Sequence, residues 1–197
     1  MTPSRSIKKG SNLTVEPIRK IKDIKAIGRL LKSKPRDYLL WITGINNGLR
    51  AKDLVRIKYS QVEGAKPGTV INIVETKTGK DNVLVINKAV HRALQAYLTV
   101  IEPAPDDFLF KSRKGNHHIS SQSVGRLVRS WTSAINLKGR YGTHSLRKSW
   151  GYLQRTQHGA GFEILCKRYQ HSSPAITMRY LGIENREVCE LLMNEIG

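Results

Sequence analysis

Apolar residues recur with helical spacing from Pro17 onward. Ile18, Ile21, Ile24, Ile27, Leu30 and Leu31 form one stripe, with Arg19, Lys20, Lys22 and Lys25 between them. A second helix is predicted from Pro35 to Asn47 on Leu39, Leu40, Ile42 and Ile45, stopped at Gly48 by a left-handed cap. Arg50 then stands just past a helix end, opening a short helix that holds Leu54 and Ile57. In the middle of the chain the period changes to two. Val70–Val74 and Val83–Ile86 read as strands of a hairpin, and Glu75–Asn82 as its flexible tip, carrying Lys77 and Lys80. Helical patterns resume at 88–101 (Val90, Leu94, Tyr97, Leu98) and 121–135 (Val124, Leu127, Val128, Trp131, Ile135). Further helices fit 144–157, 161–170 and 173–180, with a last amphipathic one at 185–195 on Val188, Leu191 and Leu192. No internal repeat is visible. The expected class is α+β, mainly helical, with one small antiparallel sheet between helices.

Charge narrows the function. The chain has 197 residues, and 34 Lys and Arg against 15 Asp and Glu leave a net charge of +19. Residues 1–36 hold eleven Lys or Arg and only Glu16 and Asp23 as acids, so about half of the excess sits there. Residues 1–15 read as a basic flexible arm and residues 16–197 as one domain. The longest apolar run, Tyr38–Ile42, is too short to span a bilayer, and no apolar stretch follows the N-terminal basic residues as a signal peptide requires. Cys166 and Cys189 stand alone, which fits a reducing cytoplasm and offers no zinc site. A cationic excess of this size points to nucleic acid, where each neutralised phosphate releases a condensed counterion.

The sequence has no phosphate-binding glycine loop, no His-Glu-x-x-His, no Gly-x-Ser-x-Gly and no acidic cluster suited to Mg²⁺. The pair His117-His118 reads as exposed loop. A nucleic-acid enzyme built this way would stabilise phosphoryl-transfer charge with its own cations. Thr143-His144-Ser145-Leu146-Arg147 supplies a set: Thr143 reads as an N-cap, and His144 and Arg147 fall on one helix face. His171 and Tyr180 flank another short helical segment.

Taken together, Gly48-Leu49-Arg50-Ala51-Lys52-Asp53-Leu54, the hairpin Lys77-Thr78-Gly79, His144-Ser145-Leu146-Arg147, and His171 nine positions before Tyr180 resemble the tyrosine recombinase (phage integrase) family, in the family's order. The resemblance covers residue 16 to the end, the family's catalytic domain. It implies a site of Arg50, Lys77, His144, Arg147, His171 and Tyr180, with no cofactor and no metal. Tyr180 would attack a DNA phosphate and stay linked to the 3′ end, while Arg50 and Arg147 fork onto the non-bridging oxygens. A phenol of pKa near 10 is only about one part in a thousand ionised at pH 7, so neighbouring cations must favour the phenolate and the phosphorane together. His144 and His171 would add hydrogen bonds and handle the nucleophile's proton. Lys77 would protonate the leaving 5′-oxygen, with Lys80 as its competitor. Implied partners are double-stranded DNA, further copies of the chain (a tetramer on DNA, docked through helix 185–195) and an accessory DNA-bending protein, with no membrane. The expected location is cytoplasmic, on the nucleoid.

Two departures stand out. Lys148 occupies a position where the family often has His. In having only an arm before its first helix, and no separate N-terminal DNA-clamping domain, the chain is similar to short fimbrial phase-switch invertases. The expected activity is site-specific recombination (integration, inversion or excision in a mobile element). A type IB-like nicking-closing topoisomerase and a DNA-binding regulator on the same fold remain alternatives.

Overall fold

The computed structural model describes residues 14–113, 115–183, 189 and 192–196. Among the described residues, eight α-helices and one hairpin follow the order α1 (Ile21–Leu31), α2 (Pro35–Asn47), α3 (Ala51–Leu54), β1 (Val70–Val74), β2 (Asp81–Val85), α4 (Lys88–Leu98), α5 (Ser121–Ala134), α6 (Ser145–His158), α7 (Phe162–Tyr169) and α8 (Pro174–Leu181). The expected class is therefore the observed one. Among the described residues no helix is long and apolar enough to cross a membrane. Most of the expected helix 185–195 and most of the 1–15 arm lie outside the described residues.

Local chemistry sets the boundaries. Pro35 opens α2, where its missing N–H is not needed, and Gly48 closes it at φ 62°. Gly48 is required twice over, because a Cβ there would lie 2.4 Å from Trp150 Cε3. Asn87 caps α4 by accepting from the N–H groups of Ala89 and Val90, and Ser120 caps α5 through Ser123 N–H.

Four expectations are corrected. Helix α1 starts at Ile21, not Pro17. Ile18 lies in an extended lead-in that is buried because its N–H donates to Ser149 Oγ (2.7 Å) on α6. Strand β2 starts at Asp81, pairing Val74 with Asp81, so Asp81 and Asn82 belong to the sheet and the tip shrinks to six residues, 75–80. That tip is fastened rather than loose: Asp53 Oδ1 accepts from Thr76 N–H (2.8 Å), and Thr78 Oγ1 donates to Glu75 (2.8 Å). His118 is also not a free loop residue, since its ring packs edge-on against Phe108 at 4.9 Å.

The interior has two parts. The larger is built from α1 to α5, the hairpin and Leu146, with Trp41 and Phe110 at 0% exposure. The smaller lies under α6 to α8 and contains Tyr152, Leu165, Tyr169, Leu181 and Ile183. Helix α6 runs from one into the other, and Arg147 sits on the seam.

Candidate active site

Arg147 is 3% exposed, and burial lowers its pKa from the usual guanidinium value. Its Nη1 donates to Gly48 O (2.6 Å) at the end of α2, and its Nη2 donates to Tyr169 O (3.0 Å) at the end of α7. Its guanidinium lies 4.5 Å over the Tyr169 ring, while Tyr169 Oη donates back to Arg147 O (2.8 Å). These two hydrogen bonds end on carbonyls, which orient the cation without cancelling its charge. Tyr169 holds this clamp from full burial, and desolvation pushes its own pKa far up.

Arg50 is the residue before α3, in extended conformation (φ −66°, ψ 138°). It forms an ion pair with Glu75, a carboxylate at 1% exposure that also accepts from Thr78 Oγ1 (2.8 Å) and Asn82 Nδ2 (2.8 Å). Burial raises the Glu75 pKa, but these hydrogen bonds and the Arg50 charge outweigh it, so the net shift is downward.

His144 immediately precedes α6. The expected Thr143 cap is not formed: Thr143 Oγ1 donates instead to Ser121 O (3.2 Å), and Ser145 Oγ accepts from Gly142 N–H (3.0 Å). Thr143 is drawn away because it packs on Gly125 of α5, where a Cβ would meet its Oγ1 at 2.6 Å. His144, Arg50 and Lys77 line one cavity of about 300 Å³. Burial, then the charges of Arg147, Lys148, Arg50 and Lys77, lower the His144 pKa, so the imidazole is neutral at pH 7.

Tyr180 sits in the last turn of α8, whose start is fixed by Ser173 Oγ accepting from Ile176 N–H and whose end is fixed by Gly182. Its ring packs against His171 (5.2 Å) and Tyr169 (5.3 Å), and Lys148 Nζ lies 4.8 Å from its centroid. Among the described residues its hydroxyl is buried without a well-formed hydrogen bond. Burial raises the phenol pKa; the charges of Arg147 and Arg50 pull against it, and the net shift is upward. His171 Nδ1 is 3.0 Å from Thr177 Oγ1 on α8, which ties the imidazole to the helix bearing Tyr180. Burial and the same two arginines lower its pKa.

The structure thus brings all six residues singled out in the sequence to one region, and Lys77 rather than Lys80 lines the cavity with Arg50 and His144. Lys148 is buried against α8, occupying space beside the Tyr180 ring. Sequence reasoning missed Glu75 and Tyr169. For Glu75 a signal existed: in the period of two it shares the inward face of Ile71 and Ile73, so it had to be a buried acid. Tyr169 offered none, because an aromatic near the end of an amphipathic helix reads as ordinary core.

The sequence pattern of the phage integrase family matches residues 13–187. The chain is 34% identical over 173 residues to the probable integrase/recombinase YoeC of Bacillus subtilis, covering 86% of this chain and 91% of that protein. It is 28% identical over 195 residues to the tyrosine recombinase XerC of Caldanaerobacter subterraneus, covering 96% of this chain but 52% of that one. Among solved structures, XerA recombinase superposes with a TM-score of 0.73 at 19% identity over 93% of this chain and 68% of that one. XerH bound to palindromic difH substrate superposes with a TM-score of 0.71 at 19% identity, over 87% and 49%. A pattern match over most of the length, a relative at this identity and the shared fold place the chain in the phage integrase family, the tyrosine recombinases.

Proposed function

We propose that this chain cleaves and rejoins double-stranded DNA at specific sites, with Tyr180 as nucleophile. The observation that carries the reading is the convergence of two arginine charges, from Arg50 and Arg147, on one buried phenol. Three elements far apart in sequence supply these groups. A phosphate seated between the guanidinium groups faces the Tyr180 oxygen. The phenol rests protonated, because burial outweighs the cations. It ionises as attack proceeds, when the growing charge passes to phosphorane oxygens held by Arg50 and Arg147. The neutral imidazoles of His144 and His171 are free to accept its proton.

In the chemical step a bond forms from Tyr180 Oη to phosphorus, and the bond from phosphorus to the 5′-oxygen breaks. Lys77 Nζ donates the proton that the leaving oxygen takes up. The phosphotyrosine conserves the ester, so attack by a 5′-hydroxyl reverses the step without ATP. Residues 16–197 act as the catalytic domain in this reading, and the basic residues 1–15 add phosphate contacts along the duplex. Leu192 and Met193, 78% and 81% exposed, suit a C-terminal segment that docks on a second copy of the chain during synapsis. An accessory DNA-bending protein would aid that assembly, and the nucleoid is its place of action.

A nicked suicide substrate tests the reading. The parent protein accumulates a covalent protein–DNA adduct; Tyr180→Phe abolishes it and leaves duplex binding within about twofold, since one hydroxyl contributes little to a phosphate-dominated interface. Binding without an adduct from the parent would identify a regulator instead. An adduct that persists in Tyr180→Phe would assign the nucleophile elsewhere.

A further inference from the structure

The last turn of α7 grips the strand that leads out of the Lys77 tip. Arg168 Nη1 donates to Asn82 Oδ1 and its Nη2 to Val83 O (2.9 Å), while its Nε donates to Asn47 O (3.1 Å) at the end of α2. Two residues on, Gln170 Nε2 donates to Asp81 O (3.1 Å), and Gln170 Oε1 lies 3.3 Å from Thr78 Oγ1. The Thr78 hydroxyl has one proton and gives it to Glu75 at 2.8 Å, so the firm tether is the amide N–H to Asp81 O. Gln170 achieves this in the left-handed region, at φ 56° and ψ 39°, where a side chain other than Gly is disfavoured. Position 170 closes α7, and Gly is the residue that helix ends of this shape favour. Here a strained long amide reaches across to the hairpin instead. The contact lies one residue before His171 and four residues after Lys77.

We propose that Gln170 is a positioning residue for Lys77: its amide tethers the hairpin at Asp81, so that the Lys77 ammonium is held at the cavity shared with Arg50 and His144. The inference rests on the reading of Lys77 as the proton donor to the leaving oxygen. Backbone strain is maintained at 170 because Gly there would free the turn and lose the reach. Asn tolerates the same backbone but is one methylene short.

The test uses single-turnover cleavage of two suicide duplexes, identical except that one carries sulfur in place of the bridging 5′-oxygen. A thiol leaving group, with pKa near 8.5, departs without a proton, whereas an alkoxide needs one. Gln170→Gly and Gln170→Asn are expected to cleave the oxygen substrate about tenfold or more slowly, part of the roughly 10²–10⁴-fold worth of a positioned general acid. Both are expected to cleave the sulfur substrate within about twofold of the parent, and Gln170→Gly to keep or raise its urea midpoint. Equal losses on both substrates would mean that the variants disturb His171 or the nucleophile, and would overturn the proposal. So would full activity on both. Lys77→Met separates the two layers. If sulfur does not rescue it, the general-acid reading fails; if sulfur rescues it but not the Gln170 variants, the tether alone is refuted.

Discussion

Replacing Glu75 by Gln should act with opposite signs on stability and on DNA affinity. Glu75 Oε1 accepts from Asn82 Nδ2, and Oε2 faces Arg50 and Thr78 Oγ1. Asn82 is not free to turn over, because its own Oδ1 already accepts from Arg168 Nη1 and from Val83 N–H (2.8 Å). The new amide oxygen therefore stays with Asn82, and the new NH₂ is driven against the Arg50 guanidinium. Removing one partner of a buried ion pair costs about 3–5 kcal/mol, and a charged hydrogen bond alone about 1.5–3. The Arg50 side chain as a whole is 18% exposed while the Nη1 that faces Glu75 is buried, so a value between the two ranges applies, about 2–3 kcal/mol. With a urea slope of about 2 kcal/mol/M, the unfolding midpoint falls by about 1–1.5 M. Affinity moves the other way. If a phosphate held by Arg50 is taken to lie about 6 Å from this carboxylate, the repulsion is roughly 0.7–3 kcal/mol at effective dielectric constants between 80 and 20. Its removal should tighten binding of an uncleavable duplex, in a Tyr180→Phe background at low salt, by about threefold or more. The assays are urea unfolding followed by fluorescence, and anisotropy titration at a temperature where the variant is fully folded. A midpoint change under about 0.3 M would refute the buried-pair account. Weaker binding by a folded variant would refute the counter-charge argument and make Glu75 an aligner of Arg50.

Gly151→Ala should destabilise strongly, because the added Cβ would sit 1.9 Å from Tyr169 Oη at a residue with 0% exposure. The expected loss is about 2–3 kcal/mol by urea unfolding, partly restored by adding Tyr169→Phe; an unchanged midpoint would show that α6 and α7 separate freely. Stability should also fall with acid. His144 and His171 are held neutral in the folded chain, so below the ordinary imidazole value, about 6.5, the unfolded chain binds protons that the folded one does not. The lowered Glu75 pKa adds a further loss below the ordinary carboxyl value of about 4.5, where the unfolded chain takes up a proton that the folded one does not. Urea midpoints should therefore drop from pH 7.5 to 5.5 in the parent and change less in a His144→Gln, His171→Gln double variant. A parent profile flat over that interval would contradict the burial of the two imidazoles.

The sequence by itself determined the elements whose cause is local. Pro35 and Gly48 bound α2, the alternation at Val70–Val74 forms β1, and the stripe of Val124, Val128 and Trp131 buries α5. Such signals act within a turn or two of chain, so they survive without knowledge of the fold. The chemistry-bearing residues Arg50, Lys77, His144, Arg147, His171 and Tyr180 were legible through the family resemblance, whose motifs are short runs of neighbouring residues met in a fixed order along the chain. Only the tertiary structure decided how the charges are balanced. It paired Arg50 with Glu75, oriented Arg147 on two carbonyls, and drew Thr143 away from the cap it seemed fit to form. It also pulled Ile18 out of its helical stripe to reach Ser149, and turned Gln170 toward the hairpin. These outcomes depend on which distant groups share a space with little water, where an unpaired donor or charge is expensive. No spacing along the chain encodes that.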